Sequence, residues 1–386
     1  MSSAGVQAAV AGGGTVGLAC ALLLHRRCGW DVALVERSPP RGAAAKEPQR
    51  ALTLSPGAAG LLAECGLPSR PGHAFSRMVV WRGEGPPAPG NSITFDAAEL
   101  GVKALGSVAH EAPLRRALWD LAADCAGIRV YSGTELASVR IGEQCGYLDL
   151  DNGEEVAAEL LVGADGAQSK LRSALGIEFH ARGYGQTGLV FEADCGERGG
   201  DTAWQRFSDD GTLALLPLSE SRFSIVWSLP DERAERLRRL DGEGLMAELN
   251  EAGASVAGEL TPATPIASFP LRRGRAARAS GERFALVGEA ARTVHPLAGQ
   301  GLNLGLGDAG ALARVCSEQG DALIGDARVL DRFARERARY GEEMSLGIHA
   351  INAAFEGALA PLAALALGAV DRLPPLKRAL AERAMR

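Results

Sequence analysis

The segment Gly12-Gly13-Gly14-Thr15-Val16-Gly17 constrains this chain of 386 residues more than any other. It fits Gly-x-Gly-x-x-Gly, and its setting gives the pattern weight. Val6–Ala11 before it is short, small and apolar, as a buried strand is. Thr15–Arg27 after it is apolar through most of its length and reads as a helix, and Asp31–Glu36 places Val32, Ala33, Leu34 and Val35 in a row, as a second buried strand does. Strand, turn, helix and strand within about 30 residues make a βαβ unit. In such a unit Gly12 permits the tight turn, Gly14 lets the backbone approach a pyrophosphate, and Gly17 lets helix and strand pack closely. The helix N-terminus around Val16 has free N–H groups and the positive end of the dipole, and both favour an anion. Glu36 ends the second strand nineteen residues beyond Gly17, where a carboxylate accepts hydrogen bonds from ribose hydroxyls. That charge repels a 2′-phosphate, so the pocket suits FAD or NAD better than NADP, with Arg37 beside it as a counterweight.

Two further segments separate those cofactors. Leu161-Val162-Gly163-Ala164-Asp165-Gly166 runs a strand into Asp-Gly, with a helix and Arg172 beyond. In isolation Asp-Gly is an ordinary turn. Ala285-Leu286-Val287-Gly288-Glu289-Ala290-Ala291 is again a strand ending at an acidic residue, and Pro296-Leu297-Ala298-Gly299-Gln300-Gly301-Leu302-Asn303 is a glycine-rich loop opening a helix. Glu289 at the strand end can hold the hydroxyls of a ribityl chain. The helix N-terminus at Gly301–Asn303 can stabilise negative charge at the N1–C2=O edge of a reduced flavin, with Asn303 a candidate hydrogen-bond partner for that edge. An NAD enzyme has no use for this second device, so the expected cofactor is FAD.

Composition narrows the rest. Lys and Arg number 41 against 47 Asp and Glu, a formal charge of −6, and a chain of that balance lacks the cationic footprint of a nucleic-acid binder. The seven cysteines are odd in number and none has Cys-x-x-Cys spacing, which argues against a disulfide framework or zinc ribbon and for a reducing, cytoplasmic setting. Met1–His25 has no basic start and is broken by glycines, unlike a signal peptide. Gly357–Val370 is apolar, but its fourteen residues are too few to span a bilayer. Basic residues follow it: Arg372, Lys377, Arg378, Arg383 and Arg386. That pairing suits an interfacial helix on anionic lipid, and equally a last core helix with a charged tail.

The expected architecture is α/β. A Rossmann-type FAD-binding domain takes residues 1–74, 103–182 and 272–330, interleaved with an antiparallel-sheet substrate domain of 75–102 and 183–271, and C-terminal helices occupy 331–386. Within it, helices are expected at Pro56–Cys65, Pro113–Cys125, Asp231–Glu251, Leu302–Val315 and Asp326–Asn352, and short strands at Leu189–Ala193, Trp204–Phe207, Thr212–Leu216 and Phe223–Ser228.

The three signals, in this order, resemble the class A flavoprotein aromatic hydroxylases, which have the p-hydroxybenzoate hydroxylase fold. Arg50-Ala51-Leu52-Thr53-Leu54-Ser55, Leu114-Arg115-Arg116-Ala117-Leu118-Trp119, Tyr184-Gly185-Gln186-Thr187, Leu216-Pro217-Leu218-Ser219, Ser224 through Leu229, His295 through Gly305 and Asp371 through Lys377 narrow the resemblance to the ubiquinone-biosynthesis hydroxylases, over nearly the whole chain. Glu289 stands where that family often has Asp, Arg292 where it has His, and Ala109-His110-Glu111 departs from its usual order. No Trp-x-Trp-x-Ile-Pro occurs, which disfavours the related flavin halogenases.

The resemblance implies hydride transfer from NAD(P)H, or another donor, to FAD, formation of a C4a-hydroperoxide with O2, and OH transfer to an electron-rich phenolic ring. It implies a lipid-soluble polyprenylated phenol as substrate, other ubiquinone-biosynthesis proteins as partners, and peripheral contact with the inner membrane. Pro296, Gly301 and Leu302 are then backbone positions beside the flavin ring. The cofactor set is Gly12, Gly14, Val16, Gly17, Glu36, Arg37, Arg50, Arg115, Asp165, Gly166, Gly288, Glu289, Gly299, Gly301, Leu302 and Asn303. His295 reads as structural rather than as a proton relay, and Leu215, Leu216, Pro217, Val226 and Trp227 are candidates for the pocket wall or for plain core. A hydroxylase of a small soluble aromatic and a non-catalytic FAD-binding scaffold subunit are the alternatives.

Overall fold

Strand Val6–Ala11 lies inside a parallel sheet, with Val10 paired to Leu34 on one side and to Val162 on the other. In the computed structural model, which describes residues 5–40, 50–83, 85–196, 200–209, 211–294, 300–355, 371 and 373–385, the order across this sheet is Ser280–Gly281, Phe284–Leu286, Glu155–Gly163, Val6–Ala11, Val32–Glu36, Ile128–Ser132. The antiparallel strands Leu136–Ile141 and Gly146–Leu150 extend it from Glu155–Gly163. Strands covered on both faces need continuous apolar runs, and Ala8, Ala9, Val10, Val32, Ala33 and Leu34 are fully buried. The helix Thr15–Cys28 closes the βαβ unit. All its side chains from Leu18 to Leu24 are buried, because the helices Gln300–Ser317 and Glu111–Ala123 pack against it.

A second sheet is ordered Arg292–Thr293, Ala267–Ala276, Phe179–Asp194, Arg222–Pro230, Gly211–Ser219, Thr202–Ser208, Arg77–Arg82, Ser92–Asp96. Only Thr202–Ser208 and Arg77–Arg82 run parallel to each other. Period-two alternation gives this sheet two apolar faces. Leu189, Phe191, Leu215, Ile225 and Trp227 pack on Leu237, Leu245 and Leu249 of the helices Asp231–Leu237 and Gly242–Glu251. Ala203, Leu216 and Val226 face the other way, onto Phe75, Val108 and Ala51 of a three-stranded sheet made by His73–Phe75, Gly106–His110 and Ala51–Leu54.

The structure departs from the sequence expectations in physical detail. The helix expected over Asp231–Glu251 is two helices, because Asp241 caps the second, its carboxylate accepting the Gly244 N–H at 2.8 Å. The helix expected from Pro113 starts at Glu111, with His110 as its N-cap. The strand expected over Leu189–Ala193 is the last part of a sixteen-residue strand, Phe179–Asp194. Its partner Ala267–Ala276 escapes sequence reading because several of its residues are exposed arginines. Among the described residues all seven cysteines are free thiols, and no helix is long and apolar enough to cross a membrane. Gly357–Val370, Arg372 and Arg386 lie outside the described residues.

Candidate active site

The three glycine-rich signals meet at the N-terminus of helix Thr15–Cys28. Gly12, at φ +106°, sits so close to the second signal that a Cβ there would lie 2.5 Å from the Ala164 carbonyl oxygen. A Cβ on Gly17 would lie 1.8 Å from the Gly12 carbonyl oxygen. The third signal arrives through Gly305, where a Cβ would be 2.7 Å from Val16 and 3.2 Å from the Gly288 Cα. Gly14 differs from these: a Cβ there would meet nothing within 4 Å. Its open side is the wall of a groove of about 1690 Å³.

Gly12, Gly14, Glu36, Arg37, Arg50, Arg115, Asp165 and Gly166 line that groove. Glu36 accepts the Gly13 N–H at 2.5 Å and the Ser38 N–H at 2.7 Å, so its carboxylate is fixed at the end of the second strand. Arg115 braces the same loop: it donates to the Gly13 carbonyl at 2.8 Å and the Ser38 carbonyl at 2.6 Å, and lies 3.3 Å from Glu36. Arg116 instead pairs with Asp120 on the surface, at 2.9 Å. Arg37 pairs with Glu135 at 2.9 Å, and Arg50 stands at the rim, 3.8 Å from Glu111. Asp165 uses one carboxylate oxygen for the Leu171 N–H at 3.1 Å. Its other oxygen is buried with no protein partner, as is the Thr15 hydroxyl. Helix Thr15–Cys28 has no side-chain cap, because Gly14 is its N-cap. Orphaned polar atoms, an uncapped helix N-terminus and a backbone cradle empty of side chains fit a dinucleotide with its pyrophosphate.

Glu289 is exposed and does not line the groove. Pro296, Gly299 and His295 lie outside the described residues. Gly301 opens the helix Gln300–Ser317 near Val294, and Leu302 packs against the core. The Asn303 side chain is placed differently from the flavin-edge expectation. Its amide donates to the Thr53 carbonyl at 3.0 Å and accepts the Ser55 N–H at 3.0 Å, which clamps strand Ala51–Leu54 to the helix. Of the five candidate wall residues, Leu216 and Val226 share the face turned toward the three-stranded sheet. Leu215 and Trp227 belong to the opposite core, and Pro217, two residues beyond Leu215 and paired with Phe223 of that core, shares their face. Strand alternation forbids all five from lining one pocket.

Two polar assemblies escaped sequence reading. Asp308 is fully buried, accepting the Gly288 N–H at 3.1 Å, Arg292 at 2.8 Å and Arg337 at 2.6 Å. A lone acid in the apolar run Leu304–Ala313 was its available signal. Glu192, on the second sheet, is buried and receives His110 at 2.7 Å and Arg222 at 3.5 Å. No local pattern marks it, because its partners come from distant segments. Four of the thiols are poor candidates for chemistry: burial pushes Cys65 up to about 12 and Cys28 up to about 11, and raises Cys20 and Cys316 further.

A Rossmann-type sheet, a dinucleotide groove at the ends of its strands and a large antiparallel sheet beside it define the FAD-dependent monooxygenases of the aromatic hydroxylase class. A family model for the FAD binding domain matches residues 5–345, and the chain belongs to that family. It is 33% identical over 390 residues to 3-demethoxyubiquinol 3-hydroxylase of Escherichia coli, covering 98% of both chains. It is 29% identical to the mitochondrial ubiquinone biosynthesis monooxygenase COQ6 of Homo sapiens, covering 95% of this chain and 90% of that one. Among solved structures, PqsL of P. aeruginosa in complex with 2-aminobenzoylacetate superposes with a TM-score of 0.78 at 23% identity, over 94% of this chain and 99% of that one. p-Nitrophenol 4-monooxygenase PnpA from Pseudomonas putida gives 0.77 at 17% identity, over 98% of each chain. These two likenesses concern the fold.

Proposed function

We propose that the protein hydroxylates the aromatic ring of a polyprenylated phenol in ubiquinone biosynthesis. One oxygen atom of O2 enters the ring and the other leaves as water, with two electrons from NAD(P)H. The observation that carries this reading is the extent of the likeness to the E. coli hydroxylase, 98% of both chains. It takes in the second sheet as well as the cofactor groove. The redox chemistry, including activation of O2, is that of bound FAD.

The chain's own residues bind and orient. Gly12, Gly14, Val16 and Gly17 would hold the pyrophosphate, Glu36 the ribose, and Asp165, Gly166 and Gly288 the ribityl side. Arg37, Arg50 and Arg115 would frame the groove. Pro296, Gly299, Gly301, Leu302 and the Asn303 backbone would flank the ring. Asp308 acts one step back, holding Gly288 in place. In this reading residues 1–74, 103–182 and 272–330 form the cofactor domain, 75–102 and 183–271 the substrate domain, and 331–386 the C-terminal helices. The enzyme works in the cytoplasm at the inner-membrane surface, where its lipid substrate and other proteins of the pathway reside.

The test is a deletion strain complemented by wild type or by Gly14→Val. Accumulation of a quinone intermediate lacking one ring oxygen, cleared by wild type alone, is expected. An unchanged quinone profile on deletion would sink the proposal.

A further inference from the structure

A second cavity, of about 1250 Å³, shares no lining residue with the dinucleotide groove. Its walls come from the first part of strand Phe179–Asp194, the end of strand Ala267–Ala276 with residues 277–280 beyond it, strand Arg292–Thr293 and helix Ala327–Phe355. They bring together Arg182, Arg273, Arg275, Arg278, Arg292 and Arg335. Asp331 is the one carboxylate among the described lining residues, and it accepts the Ser280 hydroxyl at 3.1 Å. Arg292 is committed to the buried Asp308 at 2.8 Å. Neither Arg182 nor Arg335, both exposed, ion-pairs with a carboxylate among the described residues. This concentration of positive charge sits on a chain whose net charge is −6.

The strand register sharpens the point. Arg182 stands directly opposite Arg273, and His180 opposite Arg275, across the antiparallel pair. Arg182 and Arg273 thus offer guanidinium groups from two strands at one register position of the cavity wall. At the same place the register shifts between Gly183 and Thr187, an irregularity of the kind that re-aims side chains beside binding sites. Tyr184 lies within this shift, under the Arg273 guanidinium at 5.9 Å, and offers a flat apolar surface next to the charges.

We propose that this cavity binds the phosphate groups of a phosphorylated organic ligand. Guanidinium forks match phosphate oxygens two at a time, and the volume exceeds what a bare phosphate needs, leaving room for an organic portion. A lipid phosphodiester and a dinucleotide pyrophosphate present the same chemistry to it. The purpose of such binding, though not its existence, rests on the proposed function. Val294 is part of the wall and leads directly to the loop that the proposal sets beside the flavin ring. The dinucleotide groove is assigned to FAD, so a phosphorylated reductant needs a second site, and a lipid-borne substrate needs a surface to be delivered from.

The experiment uses the full-length, FAD-loaded protein at low salt. The probes are inorganic pyrophosphate, NAD and NADP in oxidised form, and vesicles of phosphatidylcholine with or without one-third phosphatidylglycerol. Arg182→Glu/Arg273→Glu is expected to weaken binding of the effective probe at least tenfold with FAD content unchanged, and added salt is expected to weaken it in the wild type. Preference for a dinucleotide or for anionic vesicles identifies the source of the phosphate. If the double variant loses FAD or fails to fold, Arg335→Glu, on a separate helix, decides by the same measurement. The inference is overturned if no probe binds, or if charge reversal leaves the affinity within twofold. Loss of hydroxylation in a wild type that still binds its probe would count against the proposed function alone.

Discussion

Gly14 is the groove glycine whose substitution the protein itself tolerates: its φ is −73° and a Cβ there touches nothing. Gly14→Val therefore tests the ligand rather than the fold. Purified Gly14→Val is expected to fold with a thermal midpoint near that of wild type and to contain no FAD; stoichiometric FAD in the folded variant would refute the site. Glu36 is less clean, because its carboxylate also holds the Gly13 and Ser38 N–H groups. Glu36→Ala is expected to weaken FAD binding by about 1.5–3 kcal/mol for each charged hydrogen bond lost to the ribose. A titration showing unchanged affinity would remove Glu36 from that role. Asp308 works in a different currency of evidence, since it is fully buried between Arg292 and Arg337. Asp308→Ala leaves those guanidinium groups without their counter-charge and is expected to lower unfolding stability by about 3–5 kcal/mol in urea.

At the scale of elements, the βαβ unit was legible because every feature of it is local. Buried strands give apolar runs, and the glycines sit at fixed offsets between strand and helix. What stayed illegible depends on distant partners. Strands Gly106–His110 and Ala267–Ala276 are defined by what pairs with them rather than by their own pattern. Asn303 is the sharpest case. As a helix-opening residue beside a glycine-rich loop it invited a role at the flavin edge, yet its amide completes the hydrogen bonding of strand Ala51–Leu54 from 250 residues away in sequence. Asn303→Ala is accordingly expected to loosen that strand. Hydrogen exchange should accelerate at Ser55, whose N–H it accepts, by the factor that a lost bond of about 1–3 kcal/mol implies. Protection at Ser55 equal to wild type would show that the clamp is dispensable.

For the whole molecule, the membrane question turns on the C-terminus. Part of the basic cluster read from the sequence is already spent on the protein. Lys377 pairs with Glu99 at 2.8 Å and Asp371 at 3.4 Å, and Arg378 pairs with Glu382 at 3.0 Å. Helix Pro374–Ala384 is tied to the body, since the Met385 carbonyl accepts the Gly57 N–H at 2.9 Å. Truncation after Glu356 thus removes a docked helix as well as the apolar Gly357–Val370. The expected result is reduced co-sedimentation with anionic vesicles while FAD stays bound. Release of FAD, together with indifference of the intact chain to vesicles, would make the segment core.

Strand Phe179–Asp194 begins with Phe179 packed in the core of the first sheet and ends with Leu189, Phe191 and Ala193 in the core of the second. A single strand is thus shared by the sheet that carries the dinucleotide groove and the large antiparallel sheet beside it. Anyone wishing to transplant specificity between such enzymes cannot treat the second sheet as a cassette, because this strand runs from one core to the other without a linker to cut. A crossover must fall inside a strand and keep its register with Ala267–Ala276, so new substrate preferences should come from exchanging side chains on a retained frame.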